Sequence, residues 1–441
     1  MIRSSGNRTL RFLLMTVFLA SLLFASPAGA EGQAMLEAGT VVNARMKSLA
    51  AGADTGSWKE TADIKAIRMA DSLPDGFVPS EANTVSVPES ENPIYIFFDN
   101  SNDAGIMYFY TAGDTVVMNP NSRTLFFGHT ALTDISGLAG WDASRVTDMG
   151  GMFEHVKSLR DAFALRNWDV SGVTDMSFMF SRAESLMFID VSGWNTGKVT
   201  TMCCMFQVGN SWEGNGQLVE ILGLGGLDVS NVRDMTCMFY GAGQMTYYDI
   251  GNWNVSKVES MNHMFGDNFK LRSLDLSAWD VSSLRTIYCM FDDNVKLRTI
   301  GDVSHWNTAN LVDAGAWLND SSSFVGDNTG TFDLSGWDTR NLKSTGEMLL
   351  HTSIRTLDLS GWTFDSITNE KWEGAGKGAY YETGNDTEAL KGMGSMFKNS
   401  SKLTAVYISQ EGLDSYNAAV ERGVNTLEMW EHTKVNGFTV R

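Results

Sequence analysis

The stretch 168-WDVSGVTDMSFMF-180 packs one Trp, two Met and two Phe into thirteen residues, and a close copy of it starts 26 residues later at Trp194. Working outward, Trp141, Trp168 and Trp194 open three copies, Leu227 stands in for Trp in a fourth, and Trp253, Trp279, Trp306, Trp337 and Trp362 open five more. The separation is 26 or 27 residues, lengthening to 33 and 31 in two copies and shortening to 25 in one. A period of this size marks a repeat architecture, because a unit so small cannot bury its own apolar face and must stack on its neighbours.

Each unit has two halves. Val173, Met176, Met179 and Phe180 share the spacing of one helical stripe, which predicts a short helix or 3₁₀ turn with Ser171 as its N-cap and Asp175 in its first turn. Leu271, Leu274 and Leu276 of "LRSLDLS" instead predict a short strand. Most of the 24 Met and 13 Trp fall on pattern positions, so the unusual composition reflects packing rather than a soft-metal site. Buried side chains of this size contribute roughly 1.5 to 3 kcal/mol each. The pattern drifts at Ala314, Trp317 and Leu318 and again at Thr345, Met348 and Leu349, and returns at Met393, Met396 and Phe397.

The W-D-V-S-x-V-T-x-M-x-x-M-F unit followed by L-x-x-L-D-L-S resembles the repeat of BspA-like leucine-rich-repeat surface proteins, including the repeat long filed as a domain of unknown function in mycoplasma and gut-bacterial surface proteins. The resemblance covers about residues 128 to 408, and "NARMKSLAAG", "ADSLP" and "YIFFDNSNDAG" resemble what precedes such arrays. It implies an α/β fold, a right-handed leucine-rich-repeat-like solenoid with one short strand and one short helical turn per repeat, displayed outside a bacterial cell for adhesion or protein binding. It implies neither catalytic residues nor cofactors. No lipid-acceptor Cys or sorting tail accompanies the array here, so release from the cell, or surface retention through partners, is expected.

The flanks are read by composition. Arg3, Arg8 and Arg11, the apolar run "FLLMTVFLASLLFA" and Ala28-Gly29-Ala30 predict a signal peptide over 1–30, with no membrane insertion after its cleavage. Residues 31–127 do not repeat; "PIYIFFDN" and "GIMYFYTAGDTVVM" predict hairpins forming a β-rich N-terminal cap. Residues 128–408 form the array, with a large insertion at 368–392, and 409–441 a small C-terminal cap. The net charge of −19 excludes nucleic acid as a partner on electrostatic grounds and disfavours anionic membranes.

Two surfaces are candidates for binding. The insertion sets Trp372, Tyr380 and Tyr381 among Gly and charged residues, either as anchors for a partner or folded back on the array. On the strands, Asp190, Asp249, Asp275, Asp333 and Asp358 share one repeat position, with Arg272, Arg298 and Arg355 near the strand starts. The Asp repulsion is relieved by those Arg, by Ser and Thr hydrogen bonds, or by calcium; no D-x-D-x-D-G loop favours the last, and no metal is expected. Cys204 and Cys237 share a position in adjacent copies, within disulfide reach or as reduced thiols, with Cys289 two copies on.

The six His show no metal-ligand spacing, and Glu370 and Glu373 beside Trp372 imitate a glycosidase pair only loosely. The expected function is adhesion or binding of an extracellular protein or glycoprotein ligand without catalysis. The alternatives are a structural spacer and a secreted glycan-active enzyme.

Overall fold

The computed structural model describes residues 33–51, 58–209, 215–369 and 391–441. The predicted signal peptide, Trp372, Tyr380, Tyr381, Glu370 and Glu373 all lie outside the described residues. The chain begins with β1 (Ala34–Met35), α1 (Gly39–Ala51), β2 (Ala66–Met69), β3 (Ile94–Asp99), β4 (Ile106–Thr111) and β5 (Val116–Val117). β3 and β4 pair antiparallel from Ile94↔Thr111 to Asp99↔Ile106, as alternating apolar residues around Gly and Asn favour, and β2 joins β4 in parallel. Parallel bridges Thr61↔His129, Ala66↔Asp134, Val117↔Asp142 and Asn121↔Asp148 join this segment to the first copies of the repeat.

From Asn121 onward equivalent residues of successive copies pair in parallel: Asp148, Asp175, Thr201, Asp234, Ser260, Thr286, Asp313 and Ser344 form one unbroken series of bridges. The M-x-x-M-F half is not helical, in contrast to its predicted stripe. Met179 donates to the Met176 carbonyl across one turn, while Phe178, Phe180 and Arg182 donate to Cys203, Met205 and Gln207 of the next copy. Amides thus alternate between their own turn and the neighbouring copy, which satisfies every second N–H between rungs. Helical geometry would point the amides along a local axis and leave no such ladder.

The device that makes this possible is a backbone reversal. Thr124, Gly151, Phe178, Cys204, Cys237, His263, Cys289, Ala316, Glu347, Ser395 and Glu428 all have positive φ between 50° and 60°. A second column four residues later holds Gly128, His155, Arg182, Gly241, Asp267, Asp293, Asp320, His351, Asn399 and His432, again left-handed. For a residue with a Cβ this conformation costs about 1 to 2 kcal/mol, so the ladder must recover it in every copy. The two columns also mark rungs outside the predicted 128–408 array. Residues 122–128 donate to 148–154, and 393–399 donate to 425–431, so the stack runs on into both predicted caps.

Turns are begun by Asp. Ser171 does not cap a helix; its amide instead donates to Asp169 Oδ1 at 2.9 Å, and Asp175 Oδ1 accepts the Ser177 amide at 2.8 Å. The same side-chain turn recurs at Asp142, Asp228, Asp280 and Asp338, and at Asp148, Asp234 and Asp313. Asp is chosen because its carboxylate accepts an amide two residues on, and this requirement accounts for much of the acidic composition. Most of these groups are solvated, but Asp313 is buried, and burial pushes its carboxyl up to about 6. A folded-state value raised above the ordinary one penalises the native state wherever the group is ionised, fully above about pH 6, and the penalty fades toward pH 4. Asp313→Asn keeps an oxygen for Gly315 and should raise stability at pH 8 by about 2 to 3 kcal/mol, with little change at pH 4. Urea unfolding at the two pH values checks this; an equal effect at both would contradict it.

Inside the turns runs a file of aromatic rings. Phe126, Phe153, Phe180, Phe206, Phe239, Phe265 and Phe291 are buried and stack pairwise with centroids 5.2 to 5.9 Å apart and nearly parallel planes. Where Leu318 ends the file, Trp317 fills the space against Trp306 and Trp337. A second file runs Trp306, Trp337 and Trp362, with centroids 6.2 and 6.1 Å apart. From Trp168 onward each repeat Trp also ties its copy to an earlier rung: the indole N–H of Trp168, Trp194, Trp279 and Trp362 donates to Leu138, Leu165, Ile250 and Leu334 carbonyls at 2.9 to 3.0 Å. A buried indole N–H requires such a partner, and placing it on an earlier rung makes the side chain a staple as well as filler.

Opposite the turns lie the short strands β6 (Phe188–Asp190), β7 (Glu220–Leu222), β8 (Thr331–Asp333), β9 (Thr356–Asp358) and β10 (Ala405–Ile408). β6 and β7 pair in parallel, as do β8, β9 and β10. Helix α2 (Gln410–Glu421) follows, its first turn capped by Ser409, and β11 (Thr439–Val440) closes the sheet against β10.

Candidate binding face and cleft

The strands point alternate residues into the core, so the others form columns on the surface. The first column joins Arg160, Met187 and Val219 through backbone bonds, and Arg272 and Arg298 likewise further along. The strand-face columns also expose large apolar side chains: Phe163 is 41% exposed, Val219 44%, Leu222 40% and Tyr247 62%. In the sequence only the charged members of this face stand out as repeat positions. The signal for the others lay in "LVEIL" and "TYYD", where apolar residues occupy positions that the period assigns to solvent.

The shared Asp position is only partly a column. Asp190 stands against Leu222 in the β6–β7 register, while Asp333 pairs directly with Asp358. Each carboxylate is engaged locally: Asp190, Asp275, Asp333 and Asp358 accept the amides of Ser192, Ser277, Ser335 and Ser360 at 2.9 to 3.1 Å. Asp249 is exposed and receives the Tyr247 hydroxyl at 3.4 Å. The charge at Asp358 is balanced by Arg441 at 2.6 Å, rather than by Arg355. Arg272, Arg298 and Arg355 are exposed. Among the described residues, no group of three or more His, Cys, Asp and Glu side chains is arranged to hold a metal ion.

Between Arg298 and Arg355 the face opens. Thr299 pairs back to Ser273, and Val325 donates to the Arg298 carbonyl, but the chain then detours through 326–330 before β8 begins at Thr331. The detour is the insertion visible in "NDSSSFVGDNTG". Asp327 folds it: its Oδ1 accepts the Thr329 amide and hydroxyl and the Thr331 amide, at 2.7 to 2.8 Å. Burial raises the Asp327 carboxyl but these donors outweigh it, so the group is held below its ordinary value. Gly330 has φ +87 and lies under the Arg355 stem, 3.0 Å from where its Cβ would be. The result is a cleft of about 710 Å³ lined by Arg298, Arg355, Asp302, Asp327, Asp333 and the hydroxyls of Thr299, Ser304, Thr329, Thr331 and Ser353.

The four cysteines are buried and unbridged. Cys204 and Cys237 sit on adjacent rungs, with the Cys204 amide donating to Thr236, and Cys203 Sγ lies 3.6 Å from Cys204 Sγ. Burial pushes the Cys204 and Cys289 thiols well up, which keeps them protonated. No helix among the described residues is long and apolar enough to cross a membrane.

A ladder of near-identical turns with a patterned outer face defines a repeat protein. A family model described as "Mycoplasma protein of unknown function, DUF285" matches three times, over residues 121–222, 217–332 and 302–380. These matches cover more than half of the chain, which therefore belongs to that family of bacterial repeat proteins. Among curated proteins no match is found.

Proposed function

We propose that this chain is an extracellular bacterial repeat protein that binds a protein or glycoprotein partner on its strand face, in the service of adhesion and without catalysis. The stack is read as a right-handed leucine-rich-repeat-like solenoid of the BspA kind, exported by the leader at 1–30. The observation that carries the reading is the exposure of Phe163, Val219, Leu222 and Tyr247 on one face, in a protein whose other repeat apolar residues are almost all buried. Apolar side chains grouped on a surface mark interaction sites, and aromatic ones act as anchors. Arg272 and Arg298 extend the same face, which suits a partner presenting apolar groups beside acidic ones.

The test compares the wild type, a Leu222→Asp/Tyr247→Ala double variant and a chain lacking 368–392 for binding to matrix proteins, mucins and other bacterial surfaces. The double variant should lose at least about tenfold in affinity with its circular dichroism and unfolding midpoint unchanged. Binding that survives the double variant would refute the strand-face reading, and binding lost only on deletion would transfer the role to the 368–392 segment.

A further inference from the structure

The cleft between Arg298 and Arg355 has features that neither packing nor the turn chemistry requires. In a chain of net charge −19, two arginines line one cavity, and among the described residues neither guanidinium is engaged in an ion pair or side-chain hydrogen bond. Arg272 stands one rung below Arg298, its carbonyl accepting the Arg298 amide, and among the described residues its guanidinium is likewise unengaged. An arginine fork is shaped to take a carboxylate or another oxyanion through paired N–H donors.

The three aspartates of the cleft define which anion fits. Asp302 commits Oδ1 to the Ser304 amide and hydroxyl, Asp327 commits Oδ1 to the Thr329 and Thr331 donors, and Asp333 commits Oδ1 to Ser335. In each case Oδ2 has no partner among the described residues. These carboxylates are therefore held in place by one oxygen and present the other as an acceptor. Such acceptors attract hydroxyl donors, and three carboxylates beside two guanidinium groups disfavour a multiply charged phosphate or sulfate more strongly than they disfavour a single carboxylate. The cleft wall adds Ser and Thr hydroxyls, and its one aromatic side chain, Phe332, is buried. Together these groups call for one carboxylate on a body rich in hydroxyls.

We infer that this cleft is a binding site for a monocarboxylated saccharide, with Arg298 and Arg355 taking the sugar carboxylate and the free oxygens of Asp302, Asp327 and Asp333 accepting its hydroxyls. The inference deepens the adhesion reading and rests on it, since it names an acidic sugar as one part of the ligand. A hexuronate and a sialate share the required chemistry. The Asp327 loop sets the floor of the site, and the detour after Val325 supplies the space.

Isothermal titration of the full chain with a glucuronic-acid disaccharide and with sialyllactose, each beside its methyl ester and beside inorganic sulfate, tests this. At least one free acid should bind saturably at millimolar concentration or below, and which one binds separates the two sources. Its methyl ester and the Arg298→Gln/Arg355→Gln variant should each weaken binding by about tenfold or more. Both arginines are exposed, so the variant should fold, and an unchanged unfolding midpoint verifies it. Failure of both acids to bind, equal binding of acid and ester, equal binding by the double arginine variant, or sulfate binding as tightly as the acid would each overturn the proposal. The Leu222→Asp/Tyr247→Ala variant keeps the two readings apart: it should retain sugar binding. If a macromolecular partner still binds the strand face while no acid binds the cleft, the cleft proposal falls and the adhesion reading stands.

Discussion

Trp279→Ala should lower the unfolding free energy by about 3 to 5 kcal/mol, and Trp279→Phe by about 1 to 3 kcal/mol. The larger figure combines the lost apolar burial of a side chain only 3% exposed with the cavity left in a stack that cannot collapse around it. The smaller isolates the staple, because Phe fills much of the space yet leaves the Ile250 carbonyl without the indole N–H that now donates to it at 3.0 Å. Urea titrations followed by far-ultraviolet circular dichroism give both numbers. Nearest-neighbour coupling predicts that the loss is felt on both sides of the rung, so hydrogen exchange should quicken in the copies beginning at Trp253 and Trp306 as well. A Trp279→Ala protein that unfolds within 1 kcal/mol of the wild type would show that the side chain does not join two copies.

Gly223→Ala is expected to cost at least about 3 kcal/mol although the substitution adds one methyl group. Gly223 has φ +80, and a Cβ there would lie 2.3 Å from Ser192 Cα and 2.5 Å from the Ser192 amide nitrogen. The obstacle is backbone of the preceding copy, so no rotamer change relieves it; the rungs must part or the turn must change. Gly226, by contrast, has nothing within 4 Å of its Cβ position, and Gly226→Ala should be nearly silent. Comparing the two unfolding midpoints separates close rung contact from ordinary glycine flexibility. Equal, small effects would contradict the stacking distance at this rung.

The buried half of the molecule was legible because its chemistry repeats. Val173, Met176, Met179 and Phe180 recur at one spacing, and all four are buried. What periodicity could not reveal was the backbone that carries them. A stripe at i, i+3, i+6 and i+7 is compatible with a helix, whereas a pair of left-handed residues four apart leaves no common residue type: Phe178, Cys204, His263 and Glu347 occupy the same turn. The preference for Gly, Asp, Asn and His in the second column was the available signal. The first and last rungs are masked in the sequence because "SRTLFFG" lacks Met and "NTLEMWE" places its Trp where other copies put Phe. For the surface, the arginines and aspartates were visible as repeat positions, but the cleft was not. It arises from where an insertion leaves the strand ladder, and an insertion's path cannot be read from its length.

Spin labels carried by keto-bearing residues at Thr147, Glu259 and Lys343 test the account most directly, because these positions share one column of rung-to-rung backbone bonds. Glu259 is four rungs from Thr147 and Lys343 seven, so at about 4.8 Å per rung the backbone separations should be about 19 and 34 Å. Electron double resonance should return two narrow distributions whose centres stand in nearly that ratio. Distances unrelated to the number of intervening copies, or a broad distribution for either pair, would contradict a continuous stack of repeats.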